Sequence, residues 1–309
     1  MNRPPTDKRL RLADALRIFA ALWVLSFHLS YQIKLFFAPP AVVGTFFSFG
    51  YMGVDLLFIL SGFLIAYHHE DRLRDAASYR RFLRDRLIRL YPLHGFILLC
   101  MAAIVLSAQR LHIPVNTPAD FTVGKFVAQI FLVSAWSFPA QMSWNYFAWA
   151  VSALWLMYLL TPLLFAVLRK LQKRSYRIAL LALLTAVMPA IMLLSPQTSV
   201  VAYALPRVFS GYCYGILLHA LLRENLSPQH YSTSKTLHYA ADMTYALYIT
   251  QYPVLLFVKK ILPMTAITHQ NLSVQMTYVI GEIALCLAAA VLAHHLIEKP
   301  ARRFLASRH

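Results

Sequence analysis

D-A-L-R-I-F-A-A-L-W-V-L-S-F-H, Asp14 to His28, is the stretch whose reading decides the fold. It starts polar, becomes wholly apolar, and then carries a histidine where a membrane helix would ordinarily carry none. Read as a helix, Arg17 and His28 are eleven residues apart, which at about 100° per residue is roughly three turns plus 20°. Both side chains therefore share one face. At about 1.5 Å rise per residue the imidazole stands roughly 16 Å above the arginine. In a hydrocarbon layer about 30 Å thick, His28 falls near mid-depth and Arg17 near a surface. Asp14, three residues before Arg17, lies on the same side and within pairing distance. A paired acid, a basic entrance and a buried base on one face suggest a reaction channel. Taken alone, the same residues also suit an interfacial anchor at Arg17 and an interhelical hydrogen bond at His28. Ionisable groups in lipid are costly and tend to be functional, which favours the first reading.

The composition agrees with a membrane setting. The chain has 309 residues, 59% hydrophobic and 13% charged, with a mean hydropathy of +0.57. Soluble domains carry about a quarter charged residues. Apolar runs long enough to span occur near 13–33, 46–68, 90–108, 148–168, 178–195, 200–221, 243–262 and 276–297, with a weaker one at 123–139. The expected fold is all-α, a polytopic transmembrane bundle of about 8–10 helices. The net charge of +17 lies between the apolar runs and not along one soluble face, so nucleic acid is not the expected partner. Four basic segments fall to one side: Arg3 to Arg11, Arg72 to Arg89, Arg169 to Arg177 and Lys299 to Arg308. The positive-inside rule makes that side cytoplasmic and places both termini there. Segments 34–46 and 196–200 face outward, and 123–139 is re-entrant or surface-lying, or forms a hairpin of two short helices. The first apolar run is too long for a cleavable signal peptide. Cys100, Cys213 and Cys286 are widely spaced, a pattern of small core residues and not of a disulfide framework or metal site.

Further polar groups interrupt the apolar runs. Residues 50–65, G-Y-M-G-V-D-L-L-F-I-L-S-G-F-L-I, hold Asp55, which in lipid needs a partner or water. Gly50, Gly53 and Ser61-Gly62 permit a helix break or close helix packing. Residues 84–92, R-D-R-L-I-R-L-Y-P, place Arg86 and Arg89 on one helix face at the mouth of the third span, and Pro92 starts or bends that span. Two guanidinium groups so spaced suit a phosphate-rich ligand, although positive-inside charge also explains them. Arg207 lies inside an apolar run and requires a cavity or a counter-ion such as Asp55 or Glu282.

These stretches together resemble the acyltransferase 3 family of integral-membrane O-acyltransferases of cell-surface glycans. D-A-L-R with the later F-H is similar to the family's first helix, with a basic residue, ten intervening residues and a histidine, here Arg17 and His28. Residues 50–65 are similar to its second helix and are the most specific match. R-L-I-R-L-Y-P resembles its Arg-x-x-Arg element, T-Y-A-L-Y-I-T-Q-Y-P (Thr244 to Pro253) its late Ser-Tyr element, and I-E-K-P-A-R-R (Ile297 to Arg303) its terminal element. Two positions depart from the pattern: Leu154 stands where a glutamate is usual, and Gln251 where a histidine is usual. The resemblance implies a single membrane acyltransferase domain over 1–309, in the bacterial inner membrane, that moves an acyl group, acetyl in the first instance, from acyl-CoA to a hydroxyl of a carbohydrate or cell-envelope acceptor. Acyl-CoA is then a co-substrate, with no bound cofactor and no metal. The partners are acyl-CoA, a carbohydrate or glycolipid acceptor and membrane lipids. His28 is the expected base, Arg17, Arg86 and Arg89 the expected acyl-CoA ligands, and Asp14, Asp55 and Arg207 supporting residues. A covalent acyl-His28 intermediate is the alternative to general-base catalysis. Two other functions remain open at this point: a transporter or flippase of an anionic or glycosylated lipid, and a family member that binds acyl-CoA without turnover.

Overall fold

The computed structural model describes residues 10–113, 118–137, 140, 143–194, 203–226 and 234–307. The expected outward segment 196–200, and the basic residues Arg3, Lys8, Arg9 and Arg308, lie outside the described residues. Among the described residues there is no strand, and the eight long apolar runs are helical over most of their length, whereas 123–139 is helical only at its start. The long helices are α1 (Arg11–Phe37), α3 (Met52–His69), α4 (Ala76–Arg110), α6 (Ala148–Lys170), α7 (Arg174–Leu194), α8 (Ala204–Leu222), α10 (Thr244–Ile261) and α12 (Leu272–Ala293). Short helices join them: α2 (Ala41–Ser48), α5 (Val123–Ile130), α9 (Lys235–Asp242), α11 (Met264–Ile267) and α13 (Lys299–Ser307). By length and apolarity, the helical segments Arg11–Phe37, Ala41–His69, Ala76–Arg110, Ala148–Lys170 and Leu272–Leu305 are suited to cross a membrane. Leu99, Leu163, Phe257 and Ile280 are each more than half exposed on long helices, a lipid-facing surface in a bundle of this kind.

Contacts gather basic segments at one end of the bundle: Arg17, Arg72, Arg86, Arg89 and Arg302 line one cavity, and Arg177 at the start of α7 donates to the Ala220 carbonyl near the end of α8, whose His219 lies 3.2 Å from Glu70 at the end of α3. That basic end contains the start of α1, the α3–α4 turn, the α6–α7 turn and α13. The helices decide two points that the sequence leaves open. The first concerns glycine. α3 is continuous from Met52 to His69, so Ser61-Gly62 does not break it. A Cβ at Gly62 would overlap the Tyr212 carbonyl oxygen, and one at Gly215 would overlap the Ile59 carbonyl oxygen. These glycines let the backbones of α3 and α8 meet. The second concerns Pro92, which neither starts the third span nor ends a helix. α4 runs through it for 35 residues, beginning fourteen residues before the apolar run. Its start is fixed by a capping box, Asp75 accepting from the Ser78 backbone N–H and Ser78 Oγ accepting from the Asp75 N–H. Backbone hydrogen bonding to the Asp75 carboxylate holds its pKa below the ordinary value.

The described residues between 118 and 147 form no membrane-crossing helix. α5 lies against α4, where the buried His94 Nε2 sits 2.9 Å from the Gln129 carbonyl oxygen. Beyond α5 the chain turns inward and buries Leu132 and Ala135. Ser152 Oγ ties this irregular segment to α6: it donates to the Leu132 carbonyl and accepts from the Ala135 N–H. Non-helical backbone is tolerated at such depth only where protein satisfies it. The expected re-entrant stretch is therefore one eight-residue helix followed by a buried turn.

Candidate functional site

A cavity of about 420 Å³ opens at the basic end and runs between α1, α3, α4, α6 and α10. The local sequence explains its polarity. Asp14 and Arg17 recur at helical spacing on the inner face of α1, and Arg86 and Arg89 do the same on α4. All four line the cavity, and Arg72 from the α3–α4 turn and Arg302 from α13 join them. Five arginines thus face two aspartates, Asp14 and Asp242, across the opening. The deeper wall is apolar and aromatic, with Val54, Phe58, Val151, Leu154, Tyr158, Tyr245 and Tyr248. The cavity grades from a cationic mouth to an apolar interior, which is the polarity of a ligand with an anionic head and a slender, weakly polar tail.

The arginines differ in their surroundings. The Arg17 Nη2 donates to Thr244 Oγ1 at 3.4 Å, and its Nη1 lies 3.8 Å from Asp14 Oδ1. Asp14 is itself buried, and its second oxygen lies 2.8 Å from His238 Nδ1 on α9. Asp14 therefore joins the mouth of the cavity to a segment more than two hundred residues away in sequence. The Arg86 guanidinium lies 5.6 Å over the Phe82 ring, and its buried Nε makes no hydrogen bond. Neither Arg86 nor Arg89 makes a salt bridge or side-chain hydrogen bond among the described residues. Two guanidinium groups without carboxylate partners, close enough to repel, favour an anionic ligand between them.

His28 is not part of the cavity wall. Its half-buried ring stacks on Phe147 with centroids 4.2 Å apart, and Phe147 in turn lies 6.0 Å from the Tyr248 ring at the cavity's inner end. Neither ring nitrogen of His28 makes a hydrogen bond among the described residues. Arg17 and His28 thus lie on one helix, α1, but an aromatic layer separates His28 from the cavity that Arg17 lines. On the opposite side of His28, one turn further along α1, buried Gln32 donates from Nε2 to Glu282 Oε1 at 3.4 Å.

Asp55 and Arg207 form a separate unit. Arg207 donates from Nη2 to Asp55 Oδ2 at 2.6 Å and from Nε to Asp55 Oδ1 at 3.0 Å, a two-pronged pair between α3 and α8. Its guanidinium lies 5.4 Å over the Trp149 ring. Both residues are almost fully buried, and neither lines the cavity. Of the two counter-ions open to Arg207 in the sequence, it takes Asp55, while Glu282 takes Gln32. Leu154, at the position of the usual glutamate, forms part of the apolar wall. Gln251, at the position of the usual histidine, is wholly buried.

Sequence reasoning did not single out Arg72, Arg302, Asp242 or His238 as site residues. Arg72 and Arg302 were visible only as members of basic segments, and no local spacing marks Asp242 or His238.

A family profile described as an acyltransferase domain, that of the acyltransferase 3 family, matches residues 12–237. The chain belongs to the acyltransferase 3 family. It is 32% identical over 177 residues to Acyltransferase MdmB of Streptomyces mycarofaciens, covering 55% of this chain and 43% of that protein. It is 34% identical over 121 residues to Protein 2 in picA locus of Rhizobium radiobacter, covering 39% of this chain and 56% of that protein. The chain therefore spans about half the length of these curated relatives. No solved structure matches it. The family match runs from α1 through α8 and into α9, and so takes in His28, all four arginines from Arg17 to Arg89 that line the cavity, and the Asp55–Arg207 pair.

Proposed function

We propose that this protein is an integral-membrane O-acyltransferase that moves an acetyl group from acetyl-CoA to a hydroxyl of a carbohydrate or glycolipid of the cell envelope. The observation that carries the reading is the cavity: five arginines at its mouth, an apolar shaft behind them, and, one aromatic layer beyond, a histidine whose ring nitrogens make no hydrogen bond among the described residues. In this account the basic end faces the cytoplasm, following the positive-inside rule, and both termini lie there. The membrane is the bacterial inner membrane, and residues 1–309 act as one domain.

The division of labour follows from chemistry. Arg86 and Arg89, with Arg17, hold the phosphates of CoA, where planar forks and phosphate oxygens match. The pantetheine arm lies along the apolar wall past Leu154 and Tyr158 and carries the thioester toward Tyr248. The acceptor approaches from the other end of the bundle and meets the thioester beside His28. A sugar hydroxyl is a weak nucleophile near neutral pH. As its oxygen bonds to the thioester carbonyl carbon, His28 takes its proton, an effect typically worth about 10²- to 10⁴-fold. The C–S bond then breaks, and the proton passes to the departing CoA thiolate. Asp14 orients Arg17 and His238 at the mouth without taking part in the chemistry, and Asp55 with Arg207 holds α3 to α8 behind the site. No bound cofactor or metal enters the reaction.

Equilibrium binding of CoA to the purified protein tests the clamp. Each charge-assisted contact is worth about 1.5–3 kcal/mol, so an Arg86→Ala, Arg89→Ala double variant binds CoA at least about tenfold more weakly. Parent binding should weaken as salt rises, and the variant should lose much of that dependence. Equal affinity and equal salt dependence in the two proteins would refute the assignment.

A further inference from the structure

Gln251 is wholly buried, and among the described residues neither its Oε1 nor its Nε2 has a hydrogen-bond partner. An amide left with both ends unpaired inside a membrane bundle is costly. A position that keeps such a group implies that something polar meets it during function.

Helix geometry says where it points. α1 and α10 run in the same direction, joined at the basic end by Arg17 and Thr244. At the other end Phe36 packs on Tyr278, whose hydroxyl donates to the carbonyl of Leu262, just past α10. Gln251 is seven residues after Thr244, hence about 10 Å further along α10 and within about 20° of the same face. The equivalent step on α1 leads from Arg17 to Val24, and His28 stands about 6 Å beyond that. Tyr248, one turn before Gln251, lines the inner end of the cavity. Phe147 touches both Tyr248 and Tyr252, on either side of Gln251 in the chain, and stacks on His28. The amide therefore lies on the α1-facing side of α10, between the end of the cavity and His28.

The chemistry of the amide narrows its ligand. A thioester carbonyl can only accept, and would satisfy Nε2 while leaving Oε1 unpaired. A hydroxyl both donates and accepts, and can answer both ends of the amide. The hydroxyl that reacts must give its proton to the base, so the one that donates to Gln251 is a different one. We propose that Gln251 forms part of the acceptor site and holds a hydroxyl neighbouring the one that is acylated, so that the acceptor is a vicinal diol of the sugar type and not a monohydric alcohol. This rests on the acyl-transfer reading above.

The test compares the parent with Gln251→Met, which keeps the length and removes both polar ends, and Gln251→His, whose neutral ring offers one donor and one acceptor. CoA release from acetyl-CoA is followed against methyl glucoside, methyl galactoside, a cell-envelope glycan extract and, as a monohydric control, n-butanol. Thermal unfolding is measured alongside. The expected result has three parts. Gln251→Met unfolds a few degrees higher, because an unpaired buried amide has been replaced by an apolar chain of similar volume. Its KM for the sugar acceptor rises about tenfold or more while its KM for acetyl-CoA and its response to n-butanol do not change, and Gln251→His restores most of the loss. A lower unfolding temperature in Gln251→Met, an unchanged acceptor KM, or parent CoA release that no sugar stimulates would each overturn the proposal. A parent that releases no CoA at all refutes the acyl-transfer reading itself, whereas turnover by the parent that Gln251→Met leaves intact refutes this inference alone.

Discussion

Replacing Arg207 by methionine removes one half of the pair that joins α3 to α8 and leaves the other half in place. The Asp55 carboxylate, 3% exposed, then loses both donors, at 2.6 and 3.0 Å. Breaking a buried pair from one side costs about 3–5 kcal/mol, because an uncompensated charge stays behind. Loss of the contact over Trp149 adds about 0.5–2 kcal/mol. At about 2–4 °C per kcal/mol for a chain of this order of size, Arg207→Met should unfold about 10 °C or more below the parent. The double variant Asp55→Leu, Arg207→Met removes both charges, and replacing a whole buried pair with apolar groups is often neutral. It should return to within about 5 °C of the parent, a coupling between the two sites of about 3 kcal/mol. Intrinsic fluorescence in detergent, with Trp149 beside the pair, follows the unfolding. Additive losses in the double variant would show that the two residues are not energetically joined. Arg207→Met with a parental unfolding temperature and no turnover would place the pair in the reaction and not in the fold.

Three other outcomes follow from the same structure. Gly62→Ala should lower the unfolding temperature sharply, since its Cβ meets the Tyr212 backbone, whereas Gly281→Ala, with open space around it, should be neutral or raise it slightly; differential scanning fluorimetry of the two separates close packing from conformational freedom. Glu70, outside the membrane spans, has its carboxyl held below the ordinary 4.5 by His219, whose Nδ1 lies 3.2 Å away outside hydrogen-bond geometry, with Arg223 assisting. A depressed carboxyl contributes stability that is present above the unfolded-state pKa and is lost as pH falls through the folded value. Stability should therefore decline below about pH 4.5, and Glu70→Gln should flatten that decline in unfolding scans between pH 3 and 7; an identical profile would refute the role. Asp14→Asn should weaken the tie between α1 and α9 and raise the KM for acetyl-CoA by about two- to tenfold, since Arg17 loses a partner that fixes its position; a change confined to the acceptor KM would contradict this placement.

Helical periodicity made much of this legible beforehand. Arg17 with His28, Asp14 with Arg17, and Arg86 with Arg89 are each local spacings on one helix; Asp14, Arg17, Arg86 and Arg89 line one cavity, whereas His28 lies outside its wall. What depends on contacts between distant parts of the chain was not legible beforehand. Nothing near Asp14 announces His238, and nothing near α4 announces Arg302. The glycines of α3 allowed either a break or a close approach, and only the opposing Gly215 and Tyr212 of α8 decide for the latter. Pro92 is absorbed within a long helix because the rest of α4 is well capped and packed on both sides of it. The layer of Phe147 between the cavity and His28 was hidden for a similar reason: an aromatic residue at the start of α6 reads as an interface belt until its neighbour is known.

The central claim is that His28 is the base, and acetyl-CoA turnover by the parent and by His28→Ala tests it most directly, with glycan extract as acceptor. The account predicts that the parent releases CoA in an acceptor-dependent way, and that His28→Ala binds CoA as well as the parent but turns over about 10²-fold or more slowly. Turnover by His28→Ala at the parental rate would contradict it.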